Sequence, residues 1–410
     1  MQYSEIKTDL GIDSDIFADD WDLSAPSQSG VYAFITKESV QALCEALMFE
    51  NDIRDAFINA LPLFDSEPVR RLFWHCHWLM FKRGVPYPRD RFVQWPLLTM
   101  QSGDHADMFY AFLFLSGALA VSRAHEALRI PRDVTVETLS DLAVWMRTHR
   151  ERTGRIGISE KNWLYNHYTI KLFRLGRLQF LFEEFPHSVT VYRSRAHNGV
   201  VMLAPADVKF RRDGQYDGIM GVADPKAATT SFEETDNAWK GNTITPEGGI
   251  TAKTATLKKS EWDLILKKGD PALSFHIAAT GPMDHAQCGE SFARARDFYP
   301  RHFPEYGSRC FFSVSWLYDH QFDGLLPDTS NIVKLQRELF LYPLPEAGDK
   351  QHWERIFGKR YENINDAPQN TSLQKTFAAH VKNGGHWRSS GALLFPEDIR
   401  WGSAVYREKR

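Results

Sequence analysis

An imidazole, a thiol and a carboxylate stand close together in the second half of the chain: His276, Cys288 and Glu290. His276 lies near the carboxyl end of an apolar run, Ala272 to Ala278, where an ordinary histidine pKa near 6.5 suits a general base. Cys288 falls in the first turns of a predicted helix, where the helix dipole lowers a thiol pKa; paired with His276 or His285 it would be a nucleophile. Glu290 follows on the same turns, placed to orient His276 or to act through water. Each also has a plain structural reading. The histidine can bond a backbone carbonyl, the thiol can fill a helix–sheet interface, and the acid is favoured at a helix start.

The elements that position these residues run from 271 to 336. The apolar run 272–278 reads as a strand. It ends in a turn containing Gly281 and Pro282, and a helix opens near Asp284, with Phe292, Ala295, Phe298 and Tyr299 at close to helical period. Cys310 to Leu317 reads as a second strand and Asn331 to Leu339 as an amphipathic helix. Parallel pairing of the two strands makes a right-handed β-α-β unit. Such a unit collects ligands at the carboxyl ends of its strands, and the helix after Asp284 aims its N–H groups at the same place, so an anion such as a pyrophosphate is the expected guest.

At 410 residues the chain is long enough for two domains. The net charge of −3 offers no electrostatic footprint for nucleic acid, and no polybasic block marks a membrane surface. The four cysteines form neither CxxC pairs nor a disulfide framework, which points to a reducing, cytoplasmic setting, and the polar, acidic opening residues do not read as a signal peptide. The expected layout is a helical domain over residues 1–150 and a second domain over 151–410 with a hairpin-rich insertion at about 205–260. Residues 1–35 read as irregular, Met108 to Leu128 as a buried helix, Thr135 to His149 as one helix, and Ser260 to Leu266 as a short capped helix. His75 and His77 are i, i+2 on a predicted helix and point about 200° apart, so they do not form a metal pair. Arg174 and Arg177 bracket Gly176 where a helix would hand over to a strand, and are aimed at an anion, at a buried carboxylate or at solvent.

Several segments carry a resemblance: Phe173-Arg-Leu-Gly-Arg-Leu-Gln-Phe180, Asn237-Ala-Trp-Lys-Gly241, Lys268-Gly-Asp-Pro-Ala-Leu-Ser-Phe-His-Ile277, Cys288-Gly-Glu-Ser-Phe292, Ser315-Trp-Leu317, Ser330-Asn-Ile332 and Thr371-Ser-Leu-Gln374. In their order and type they resemble a bacterial family of acyltransferase-domain proteins, in which a helical N-terminal domain precedes a C-terminal domain related to the Gcn5-related N-acetyltransferases (GNAT). The resemblance implies an α+β or α/β protein with a GNAT-like mixed sheet. It also implies that the strand reaching Ile277 and Ala278 bonds a pantetheine arm, and that the turn through Gly281 to Asp284 cradles the pyrophosphate of an acyl-CoA. The usual turn reads Gln or Arg, two residues, Gly, one residue, Gly or Ala. Here it reads Ala278-Ala-Thr-Gly-Pro-Met, and Pro282 removes a donor.

The expected function is therefore transfer of an acyl group from a thioester, on CoA or on the pantetheine of an acyl carrier protein, to an amine or hydroxyl of a small molecule, with no metal. His276, Glu290 and Cys288 are the catalytic candidates, and Ile277, Ala278, Gly281 and Asp284 the donor-binding ones. Arg174, Arg177, Trp316, Asn331, Gln336 and Gln374 are candidates for the small-molecule substrate. Ser330 and Asn331 also read as a helix cap, and Gln336 and Gln374 as polar groups on apolar faces that need partners. No nucleic-acid or membrane partner is expected. The alternative is a non-catalytic protein on the same fold that binds a sugar or peptide.

Overall fold

The computed structural model of the chain describes residues 2–24, 34–98 and 105–407. They form two compact units, one of residues 1–181 with 278–281, the other of 182–277 with 282–410.

The first unit is built from α1 (Tyr3–Asp9), α2 (Lys37–Ala46), α3 (Asn51–Asn59), α4 (Glu67–Phe81), α5 (Phe109–Ala127), α6 (Arg132–Leu139), α7 (Asp141–Thr153) and α8 (Lys161–Tyr168). The opening residues, expected to be irregular, thus include helix α1, which buries Tyr3 and Ile6; residues 25–33 lie outside the described part. Helix α5 is buried nearly all round from Phe109 to Ala118, as its unbroken apolar run requires. By length and composition it could cross a membrane, and here it is the axis of the unit's core. Edge-to-face rings surround it, Phe112 against Phe57 at 5.1 Å and against Phe64 at 4.8 Å. His75 and His77 are both buried on α4 and bond different hydroxyls, Ser24 at 2.6 Å and Ser116 at 2.9 Å, in keeping with their divergent directions.

The segment 135–149 is two helices rather than one, broken at Ser140. Buried Asp141 opens the second and receives Trp145 Nε1 at 2.9 Å and Trp163 Nε1 at 3.1 Å, with His167 Nε2 at 3.2 Å. Burial alone would raise its pKa; the charge and hydrogen bond of His167 outweigh that and hold it below the usual range. Leu164, Tyr165 and Tyr168 on α8 belong to the same core, so the unit continues past residue 150.

The unit closes with β1 (Leu172–Leu175) and the first part of β2 (Leu178–Glu184), a hairpin paired from Leu172↔Leu181 to Leu175↔Leu178. Gly176, at φ 78°, and Arg177 form its two-residue turn. The helix-to-strand handover expected there is corrected to a strand-to-strand turn, because Leu172 and Phe173 are buried in a ladder rather than on a helix face.

The second unit begins with β3 (Thr190–Ser194), β4 (Val200–Leu203), β5 (Lys209–Phe210), β6 (Ala228–Thr229), β7 (Phe232–Glu234), β8 (Ala238–Ile244), β9 (Ile250–Lys258) and β10 (Trp262–Leu266). One sheet runs in the order β10-β3-β4-β8-β7 with β9 on β8, so the stretch 205–260 is the hairpin-rich one. The helix expected at 260–266 is instead strand β10, paired with β3 through Asp263↔Arg193 and Leu264↔Tyr192. Then follow β11 (Pro271–Ile277), α9 (His285–His302), β12 (Phe311–Ser315), α10 (Asn331–Glu338), β13 (Phe340–Tyr342), α11 (Lys350–Phe357), α12 (Ser372–Lys382) and β14 (Ser390–Leu394). Strand β11 pairs β12 in parallel, with α9 as the crossover, and β12 and β13 each pair β14 antiparallel, giving a mixed sheet.

Candidate active site

The parallel ladder between β11 and β12 is short. It holds at Leu273↔Phe311 and Ser274↔Phe312 and goes no further. Beyond it, Ser313, Val314 and Ser315 pair only with β14, on their other side, among the described strands. The carboxyl ends of β11 and β12 therefore part, and the sheet opens where an α/β unit collects its ligand.

Side-chain alternation sorts the residues at this opening. Phe275 packs on Phe292 of α9 at 5.0 Å, so Ser274 and His276 lie on the opposite face of the strand. His276 is half-buried, and its Nε2 meets Ser274 Oγ at 3.0 Å. Cys288 is fully buried on α9, and Glu290, two residues further along, is exposed. Both sit on the helix side of β11. The strand's pleat thus puts His276 on the opposite face of β11 from Cys288 and Glu290, which speaks against the His276–Cys288 and His276–Glu290 pairs considered from the sequence. Asp284 caps α9, its Oδ1 accepting from Gln287 N at 2.9 Å.

Within the first unit, the turn 278–281 is held by the two arginines of the β1–β2 hairpin. Arg177 is buried, donating from Nη1 to Ala278 O at 2.7 Å and from Nη2 to Gly281 O at 3.1 Å. Arg174 donates from Nη2 to Thr280 Oγ1 at 3.1 Å and from Nε to Gly176 O at 3.0 Å. These cations brace a backbone turn. Ala278 is buried, Gly281 exposed and Ile277 half-buried.

At the end of β12 the chain enters a polar network that the sequence reading did not assemble. Ser315 Oγ accepts from Leu317 N at 3.2 Å, and half-buried Trp316 leans on Phe322 and His352. Asp319 is fully buried. Its Oδ1 accepts from Gln321 N at 3.1 Å and its Oδ2 from Arg388 N at 2.8 Å. Two histidines flank the carboxylate, each at 3.7 Å: His320 through Nδ1 and His352 through Nε2. His352 is wholly buried among Trp316, Phe322, Phe377 and Trp387; burial lowers its pKa to about 4, against the pull of Asp319. Burial likewise lowers that of His320. Gln336 is buried and donates to Leu317 O at 2.7 Å and Asp319 O at 2.8 Å, fixing the loop that carries the acid. Gln374 completes a capping box at Thr371 and bonds Ile356 O, and Asn331 is exposed after the Ser330 cap, so these two lie in helix starts. The signal for the network was present in the adjacent Asp319-His320 pair at the carboxyl end of an apolar run. The partners that give it meaning, at 336, 352 and 388, are remote in sequence.

Comparison with known proteins agrees with this architecture. A family model described as a GNAT-like C-terminal domain matches residues 172–394, more than half of the chain. The chain belongs to that family. The model of an N-acyltransferase N-terminal domain matches residues 38–170. No curated protein matches closely enough to count as a relative. Among solved structures, an acyltransferase in complex with decanoyl-CoA and teicoplanin is 24% identical with a TM-score of 0.64, over 96% of this chain and 99% of that one. An acyltransferase mutant in complex with octanoyl-CoA is 23% identical with a TM-score of 0.63 over the same shares. At these identities the likeness to the solved structures is one of fold.

Proposed function

We propose that this protein is an acyltransferase that moves an acyl group from an acyl-CoA thioester to an amine or hydroxyl of a small molecule. The observation that carries this reading is the parting of β11 and β12 after Ser274↔Phe312. A pantetheine arm carries two amides, and unpaired peptide edges at the end of a sheet recognise an extended amide chain as they would a strand. Family membership supports the same reading. The donor is read as acyl-CoA rather than as an acyl carrier protein because neighbours of the same fold hold CoA thioesters, and their octanoyl and decanoyl chains favour a medium-length acyl group here. The four cysteines are buried and unbridged, which supports a reducing, cytoplasmic setting.

A thermal-shift titration with CoA, acetyl-CoA and decanoyl-CoA tests the donor site. At about 100 times its Kd a ligand adds about 2.7 kcal/mol, a readable rise in Tm. Turnover is read as CoA thiol released with a disulfide reagent when amines and alcohols are added; the buried cysteines keep the background low. A shift with decanoyl-CoA and acceptor-dependent thiol release are expected. Absence of any shift with all three donors overturns the reading.

A further inference from the structure

We propose that His320, oriented by the buried carboxylate of Asp319, is the base that takes the proton from the acceptor ammonium. This deepens the acyl-transfer reading and rests on it. Four features of the structure converge. His320 lies in the loop that leaves β12, one of the two strands whose carboxyl ends part. Its Nδ1 is buried, lies 3.7 Å from Asp319 Oδ1 and has no hydrogen-bond partner among the described residues, while the side chain keeps 24% exposure. Closing that gap would let the carboxylate accept from Nδ1–H and leave Nε2 as acceptor; catalytic hydrogen bonds are often long in unliganded enzymes and tighten with substrate. Asp319 itself is immobilised by Gln321 N and Arg388 N, with Gln336 on its carbonyl. His276, the base expected from the sequence, has its Nε2 engaged with Ser274 Oγ.

The groups acting on His320 are Asp319, Asp213, Arg211 and Arg388, with His352 behind the Asp319 carboxylate. Burial, with the two arginines, lowers the pKa of the imidazole against the pull of Asp319 and Asp213, which favours the neutral form that can accept. In the step, Nε2 takes one proton from the ammonium and the freed nitrogen lone pair attacks the thioester carbonyl carbon. The C–S bond breaks with its pair going to sulfur. The proton then lost from the amide nitrogen ends on the thiolate, and the imidazolium returns its own to water, so the products are amide, CoA thiol and one proton. Asp319 is a positioning residue.

The test compares wild type, His320→Gln, His320→Ala and His276→Gln with decanoyl-CoA and an amine that the wild type acylates. The His320 variants are expected to lose 100-fold or more in kcat, to bind decanoyl-CoA as wild type does, and to lose the acid limb of the kcat/KM pH profile. Added imidazole is expected to restore part of the rate to His320→Ala and none to His276→Gln. Wild-type kcat and an unchanged acid limb in His320→Gln overturn the assignment and leave acyl transfer standing. No thiol release by wild type with any acceptor overturns the reading on which the assignment rests.

Discussion

Replacing His352 by Phe should make the second unit less sensitive to acid. His352 is fully buried, ringed by Trp316, Phe322, Phe377 and Trp387, and neither ring nitrogen has a hydrogen-bond partner among the described residues. Burial outweighs the 3.7 Å approach of Asp319 and sets its pKa to about 4, against about 6.5 in the unfolded chain. The unfolded state binds the extra proton first. The penalty is therefore absent above pH 6.5, grows by about 1.4 kcal/mol per pH unit as the pH falls, and levels off below pH 4. Between pH 7 and pH 5 this one side chain costs the wild type about 2 kcal/mol. Phenylalanine is slightly larger, and any overpacking cost of about 1 kcal/mol is the same at both pH values and cancels. Urea unfolding of both proteins at the two pH values measures the effect, since the midpoint scales with stability at fixed slope. The variant should gain about 2 kcal/mol on the wild type in going from pH 7 to pH 5. A stability difference that is the same at both values would refute the reasoning.

Arg177→Met should destabilise the first unit by about 2–4 kcal/mol, because it strips a charged donor from the buried Ala278 carbonyl. Arg174→Met, whose partners water can replace more easily, should cost about 1 kcal/mol or less, and equal losses in thermal unfolding would contradict the bracing role of Arg177. Gly391→Ala should cost about 1–3 kcal/mol, since a Cβ there would lie 2.2 Å from the ring of Tyr342 across the β13–β14 ladder, and a Tm within a degree of wild type would count against it. Cys288→Ala should keep its thiol-release rate within about threefold of wild type while losing about 1–2 kcal/mol of stability, because the thiol is fully buried; abolished turnover would restore the covalent route.

The amino-acid sequence by itself determined the elements whose signals are local. The spacing of Phe292, Ala295, Phe298 and Tyr299 specifies a helix with one buried face, and all four are buried. Asp284 and Ser330 each accept a backbone N–H at the helix start that the sequence places there. Strand, helix, strand followed from the order of these signals, and the parallel register of β11 on β12 agrees. What only the tertiary structure decided depends on partners far along the chain. Residues 262–266 are a strand because β3 offers a ladder, which outweighs a weak local preference for helix. Gly176 is a hairpin turn because Leu172 pairs Leu181. The face taken by His276 became legible only once Phe275 was seated on Phe292. Asp319 gained its role only when residues at 320, 336, 352 and 388 were folded around one carboxylate, a burial that no single stretch of sequence encodes because an isolated charge is expensive to bury until its partners arrive.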